Sequence, residues 1–404
     1  MLVLPTNFVY RDGSLHIDTD FAANLQVFLE YFHTISIYSH VSDPANDGML
    51  VSVTPFSSIP NASRIEFVEL PHPYREDRYL AAYKHVETTL RKGFAKASVV
   101  QCTPHAPFDW PTLAANVLMR ENIPFAIQSD WDKWVTTKGI YTDIANPIRR
   151  FRKFLHARIF LRQYRRILSR TSVALLHGND VYEGSKHLTP NPQLIHNPSV
   201  TADDQISNAA LEAKKTAARE GNPLRITYAG RTEPMKGPLE WLETLRAVRD
   251  DGVAFDAMWF GTGSLEATYL DQLRELGLQD CVTYGGKVTR EVIYDRLYRT
   301  DIFLFCHQTR ESPRNLIEAL ACGVPIVGYH SPYAKDLTAR HGGSVLHPVG
   351  DTRALANTVA ELNRDRDRLA ELIGEAARSG AQYTREAALA ERAELMLEYA
   401  SITR

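Results

Sequence analysis

The 404-residue sequence is poor in the features that mark several protein classes. Its four cysteines, Cys102, Cys281, Cys306 and Cys322, include no CxxC pair, and no histidines cluster with them at metal-ligand spacing. That excludes a disulfide framework and a zinc-finger-type site, and the thiols read as buried groups of a reducing cytoplasm. No run approaches the ~18 consecutive apolar residues of a membrane-spanning helix, and the opening MLVLPTNFVYRDG has neither the basic region nor the apolar run of a secretory signal. A soluble, unexported, cytoplasmic protein is expected. Charge of one sign is not in excess either: the formal net charge is −2, which argues against a nucleic-acid binder. There is no internal repeat or low-complexity tract. With 44% hydrophobic content, the chain can bury about two to three domain cores.

What is present is an alternation of strands and helices. Val3 to Asp18 predicts a β-hairpin turning at Arg11-Asp12-Gly13, because Asp-Gly supplies the positive φ of a tight turn. The spacing predicts a helix over DFAANLQVFLEYFH and a strand at TISIYSHV. Further strands are expected at Met49 to Thr54, Arg64 to Leu70, Ser98 to Cys102, Pro124 to Gln128 and Ser172 to His177. Thr201 to Asn222 reads as a polar helical connector closed by the breaker Gly221-Asn222-Pro223. The alternation resumes at LRITYAGR and runs to two final helices, Thr352 to Arg378 and Thr384 to Ser401. Strands alternating with helices mean mostly parallel, doubly wound sheets. The expected division is residues 1–200, a linker 201–223, a second domain 224–380, and a terminal helix 381–404 packing back towards the first domain.

In such sheets ligands lie off the carboxyl ends of strands. After SVVQC comes Thr103-Pro104-His105-Ala106-Pro107-Phe108-Asp109-Trp110, and after PFAIQ comes Ser129-Asp130-Trp131-Asp132-Lys133-Trp134. His105 is an acceptor-side candidate or an ordinary loop histidine; Asp130 is a site acid or a helix cap. Trp110, Trp131 and Trp134 are sugar-stacking platforms or, more commonly, core aromatics. From Arg149 to Arg170 the chain carries nine Lys or Arg, and there is no Asp or Glu between Ile144 and Asn179. A stripe of Phe154, Ala157, Leu161, Tyr164 and Leu168 beside Arg158, Arg162, Arg165 and Arg166 suits an anionic membrane surface. The plainer alternative is a domain helix whose stripe is core and whose arginines are solvated.

Two segments of the second half suit phosphate. Gly230-Arg231-Thr232-Glu233-Pro234-Met235-Lys236-Gly237 joins a strand to a helix with glycines and two cations. The second, HQTRESPRNLIEALACGVPIVG, follows the apolar run Asp301 to Cys306. Ser312 as N-cap and Pro313 at the first helical position would aim the amides of Arg314, Asn315 and Leu316 at an anion. Glu318, further along the helix, is placed to accept hydrogen bonds from a sugar hydroxyl pair.

At these residues the sequence resembles retaining GT-B glycosyltransferases of the large family 4 type. The resemblance implies two Rossmann-like doubly wound domains facing a central cleft. It is specific over about Leu224 to Asp351 and only architectural before that. It implies that Arg231 and Lys236 hold the donor diphosphate, that Glu318 takes the ribose, and that Glu311 touches the donor sugar. Asp130 falls at the strand end where the family contacts the sugar near its reacting carbon. Gly286 and Val288, like the Gly261-Thr262-Gly263 loop, fall where relatives border the base. Two departures stand out. Family glutamates are eight positions apart, whereas Glu311 and Glu318 are seven apart with Arg310 at the eighth. The family's amino-terminal glycine-rich loop is reduced to Gly13, which becomes an acceptor-side candidate with His105.

The resemblance implies transfer of a sugar, with retention, from a nucleoside-diphosphate sugar to a saccharide or lipid-linked acceptor in cell-surface polysaccharide or glycolipid synthesis. A UDP-sugar is favoured as donor. No cofactor is expected, and with Arg231 and Lys236 available no metal is expected either. The location expected is cytoplasmic, at the inner face of the plasma membrane if residues 149–170 dock. The alternatives are an inactive nucleotide-binding scaffold and a sugar-nucleotide epimerase or phosphorylase.

Overall fold

The computed structural model describes residues 1–42, 52–73, 76–130, 133–134, 144–309 and 311–403. The chain forms two compact α/β units, Met1–Asn197 with Glu386–Arg404, and Pro198–Arg385.

Strands β1 (Leu2–Val3), β2 (Phe8–Arg11), β3 (Ser14–Asp18), β4 (Ile35–Ser39), β5 (Val53–Pro55), β6 (Ile65–Glu69), β7 (Gln101–Cys102), β8 (Ala126–Ser129), β9 (Val173–His177) and β10 (Pro192–Ile195) belong to the first unit. Seven of them make a parallel sheet in the order β10-β9-β8-β7-β1-β4-β6. Every residue of β8 and β9 is buried, as expected where helices cover both faces of a parallel sheet. The remaining three, β2-β3-β5, form a small antiparallel sheet. Its hairpin turns at Asp12 (φ 49°) and Gly13 (φ 75°), the pair of positive φ values that a two-residue turn requires.

Two expectations are corrected here. The hairpin does not include Val3: Leu2–Val3 pairs with β4 and β7 in the parallel sheet, and Pro5, which has no N–H to give a ladder, lies between the two runs. The strand expected at 49–54 falls partly outside the described residues, and Val53–Pro55 extends the antiparallel hairpin instead of the parallel sheet.

The terminal helix Arg385–Ala400 buries Leu389, Ala393, Met396 and Ala400, a helical face that packs with Leu2, Phe28, Ile37 and Val173 in the first unit's core. The basic helix Pro147–Leu168 starts at Asn146, whose side chain accepts from the Ile148 and Arg149 amides. Its expected membrane stripe is the inner face: Ala157, Tyr164 and Leu168 are buried, and Phe154 and Leu161 half-buried.

The second unit carries β11 (Leu224–Ala229), β12 (Phe255–Phe260), β13 (Val282–Gly286), β14 (Ile302–Phe305), β15 (Ile326–Tyr329) and β16 (Ser344–His347). They form a parallel sheet ordered β13-β12-β11-β14-β15-β16. This is the 3-2-1-4-5-6 order of dinucleotide-binding sheets, with its reversal between β11 and β14. Trp241 donates to the Leu304 carbonyl (3.0 Å) and Trp259 to the Thr232 hydroxyl (3.1 Å), so both indoles are buried with their N–H groups satisfied. Residues 201–223 belong to this unit. Their helix, Asn208–Arg219, is docked by Lys214, whose Nζ donates to the carbonyls of Leu297 (3.2 Å) and Cys322 (3.0 Å).

Candidate functional site

The loops after β11 and β14 leave the second sheet at its reversal point, where ligands of this architecture sit. They are locked together by backbone. Gln308 N donates to Met235 O (2.9 Å). Gly237 adopts φ 63° against the Cys306 carbonyl, where a Cβ would stand 2.1 Å from the oxygen. Only glycine meets both demands.

That lock brings Lys236 Nζ within 2.7 Å of Glu311 Oε2. Lys236 is buried and Glu311 half-buried. Burial lowers the Lys236 pKa while the Glu311 carboxylate opposes that shift. The other Glu311 oxygen faces His307 Nδ1 at 3.6 Å, and His307 Nε2 lies 2.8 Å from the Tyr228 hydroxyl. Burial, with Lys236 adding to it, holds His307 well below the usual imidazole range, so His307 is neutral and its contact with Glu311 is not an ion pair. Arg231 is exposed, its guanidinium 3.8 Å from Met235 Sδ.

The following helix, Arg314–Ala321, starts one residue later than expected. Pro313 is the N-cap, with φ −76° and ψ 128° and no side-chain cap bond, because a residue with no N–H fits where none is used. Leu316 N lies 3.3 Å from Pro313 O and its side chain is buried; with Pro313 as N-cap, Arg314, Asn315 and Leu316 are the first three helical residues, whose amides have no carbonyl a full turn back. Asn315 Nδ2 donates to Ala229 O (2.6 Å), pinning the helix start to the end of β11. Arg314 is exposed at the same end.

Glu318 has a separate environment. Ser199 Oγ donates to Glu318 Oε1 (2.7 Å). Beside it, Arg290 pairs with Asp204 (2.9 and 2.6 Å), reaches Ser199 O (3.3 Å) and lies over the Tyr294 ring (4.2 Å). Burial, then the Glu318 carboxylate, push the Tyr294 phenol upward. Gly286 ends β13 and accepts from Gly261 N (2.7 Å); Val288 is half-buried two residues on.

In the first unit the ends of β7 and β8 gather a second polar group. Asp109 caps the helix Trp110–Glu121 and also accepts from the amides of His105 and Ala106 (both 2.7 Å). His105 Nδ1 lies 3.5 Å from Lys133 Nζ. Burial and then that ammonium lower the His105 pKa to about 4. Lys133 is itself lowered by burial, against the pull of Asp130 and Asp109. Asp130 Oδ1 accepts from Gln128 Nε2 (2.8 Å). The Gln128 carbonyl oxygen accepts from Gln101 Nε2 (3.0 Å) and from Arg392 of the terminal helix.

Gly13 stands at the tip of the antiparallel hairpin with open space where a Cβ would be. It is a turn glycine, not part of a loop off the parallel sheet. Trp110 is fully buried, stacked on Tyr79 at 4.7 Å, and is core; Trp131 and Arg310 lie outside the described residues. His307, Tyr228, Ser199, Gln128 and Arg392 escaped the sequence reading. Only His307 carried a local signal, as a polar residue two positions after a buried strand.

Two doubly wound α/β units of this kind define the GT-B class, and solved GT-B structures superpose on almost the whole chain. HepE from Anabaena, solved in complex with UDP, matches with a TM-score of 0.67 at 14% identity, covering 98% of this chain and 99% of HepE. Sucrose-phosphate synthase from Thermosynechococcus elongatus matches with a TM-score of 0.66 at 16% identity, covering 98% of each chain. Within that fold, residues 211–380 match the family described as Glycosyl transferases group 1. The amylovoran biosynthesis glycosyltransferase AmsK of Erwinia amylovora is 31% identical over 148 residues, 35% of this chain and 36% of AmsK. The chain thus spans little more than a third of that relative's length.

Proposed function

We propose that this protein is a retaining glycosyltransferase that moves a sugar from a nucleoside-diphosphate sugar, with UDP favoured, to a saccharide or lipid-linked acceptor in polysaccharide synthesis. The observation that carries the reading is the convergence of Lys236 and Glu311, 2.7 Å apart, at the reversal point of a sheet whose order suits nucleotides. The group 1 match over residues 211–380, the polysaccharide role in the name of AmsK and the UDP and UDP-glucose held by HepE support it.

In this reading Lys236 and Arg231 face the diphosphate, and the start of the Arg314–Ala321 helix adds its dipole to theirs. The bond from the anomeric carbon to the β-phosphate oxygen breaks, and the cations stabilise the charge that builds on the departing nucleoside diphosphate. The acceptor oxygen forms its bond on the same face, and its proton passes to the leaving phosphate, so no protein nucleophile is used. Two cations take the part that a metal plays elsewhere, which makes the reaction metal-independent. Glu318 takes the ribose hydroxyls and Glu311 the sugar; Asp130 of the first unit is proposed to act in turnover.

The test is thermal unfolding of the purified protein with UDP, GDP, ADP and dTDP, followed by turnover of the sugar forms of whichever nucleotide raises the midpoint. The anomeric configuration of the product is read by NMR, with and without EDTA. A nucleotide-specific rise that Lys236→Ala abolishes, with an EDTA-insensitive, retained linkage, is expected. Absence of any rise with all four nucleotides refutes the reading.

A further inference from the structure

With its expected apolar stripe packed inward, the Pro147–Leu168 helix presents a different face to solvent. Ile148, Phe151 and Leu155 are 80%, 65% and 47% exposed, and they follow one another at helical spacings of three and four. Continuing along the same face come Arg158, Arg162, Arg165 and Arg166, all exposed. One outward face is therefore apolar for its first two turns and cationic for its last three, over roughly 27 Å. Arg149 and Arg152, also exposed, flank the apolar end. The helix holds no acidic residue. Among the described residues, none of these arginines is paired with a carboxylate; it is His156, half-buried, whose Nε2 lies 3.0 Å from a Glu76 carboxylate oxygen.

A solvated face that only keeps a domain helix soluble has no use for three large apolar side chains in a row. A protein partner would need an acidic surface with an apolar socket at one end. An anionic bilayer supplies both demands at once: phosphate headgroups for the arginines and acyl chains for Ile148, Phe151 and Leu155. We propose that this helix lies on an anionic lipid surface, its amino-terminal two turns inserted at the headgroup boundary and its arginines along the phosphates. The inference stands apart from the transferase reading, since it uses none of the residues assigned to donor or acceptor.

The test is co-sedimentation of the full chain with vesicles of phosphatidylcholine alone and with phosphatidylglycerol added. Binding to the anionic vesicles only, weakened by salt through screening, is expected. Arg158→Gln with Arg162→Gln and Arg166→Gln should weaken it on the order of a hundredfold, at the contribution usual for each juxtamembrane cation. Ile148→Ser with Phe151→Ser, at exposed positions, should weaken it while leaving the unfolding midpoint unchanged. Lys236→Ala should bind vesicles like the wild type. No binding to either vesicle overturns the proposal, as does binding to both with no effect of the variants. Capture by soluble polyphosphate but not by anionic vesicles also overturns it, in favour of a solution polyanion.

Discussion

Lys236 and Glu311 neutralise each other across 2.7 Å, although each was assigned from the sequence to a different part of the donor. Glu311 thus reaches Lys236, the cation proposed to face the diphosphate, despite standing one residue closer to Glu318 than the family pattern has it. If the proposed donor diphosphate enters beside Lys236, it competes with that carboxylate. Glu311→Gln is expected to tighten UDP binding by about tenfold, because the ammonium then competes only with a neutral amide oxygen instead of a carboxylate, while sugar transfer falls. Lys236→Ala should weaken UDP by at least about tenfold. Calorimetric titration and initial rates read both. Parallel weakening of UDP by the two variants would contradict the competition.

Glu318 accepts from Ser199 and is assigned to the ribose. If its carboxylate also takes the ribose hydroxyls, wild type should discriminate UDP from 2′-deoxy-UDP, and Glu318→Ala should not. Loss of a hydrogen bond to a charged group corresponds to about 2 kcal/mol, and Ser199→Ala, which leaves the carboxylate in place, should weaken UDP by less. Equal discrimination in wild type and Glu318→Ala would remove Glu318 from the ribose.

What the sequence disclosed and what it hid divide by range. The Asp12-Gly13 turn, the strand and helix alternation and the glycine-cation loop 230–237 are local signals written within a few residues. The contacts that build the sites are not local: Lys236 and Glu311 are 75 residues apart, Ser199 and Glu318 are 119, and Gln128 and Arg392 are 264. The Pro147–Leu168 helix shows a different limit. It carries two apolar sets at helical spacing, one around Tyr164 and one at Ile148, Phe151 and Leu155, and periodicity cannot tell which one the sheet will cover. The cap of the Arg314–Ala321 helix is Pro313 and not Ser312, a one-residue difference of the kind that sequence patterns do not resolve at helix ends.

Gln128 fixes how Asp130 is presented. Its amide nitrogen faces Asp130 because its oxygen is held by two donors, Gln101 and Arg392. Removing one donor should loosen that orientation. Arg392→Met is expected to destabilise the fold by about 2 kcal/mol, the usual consequence of losing a charged donor to a buried acceptor, and to lower turnover with nucleotide binding unchanged. Asp130→Ala should show the same split between turnover and binding without the loss of stability. Chemical denaturation beside steady-state kinetics separates the two effects. Wild-type turnover by Asp130→Ala would mean that this group takes no part in the reaction.

Lys214 gives a prediction on pH. Burial lowers its pKa from the ordinary 10.5 to about 7, with the Cys322 and Asp301 side chains raising it and Arg225 lowering it further. The neutral amine suits its place, since it has two N–H groups and two carbonyl partners, Leu297 and Cys322. Below about pH 7 both folded and unfolded chains hold the proton, so the group adds no slope. Between about 7 and 10.5 the unfolded chain keeps a proton that the folded chain has shed, and stability rises with pH wherever the unfolded state binds more protons. The slope is at most about 1.4 kcal/mol per pH unit. Lys214→Met removes the titration together with the two hydrogen bonds, so the hydrogen bonds enter as a constant offset and the pH term as a slope. Urea unfolding of both proteins from pH 7 to 10 should therefore show wild type gaining on Lys214→Met as pH rises. A constant difference would mean that Lys214 stays charged where it is buried, held by the two carbonyl dipoles at the ends of the helices that it docks.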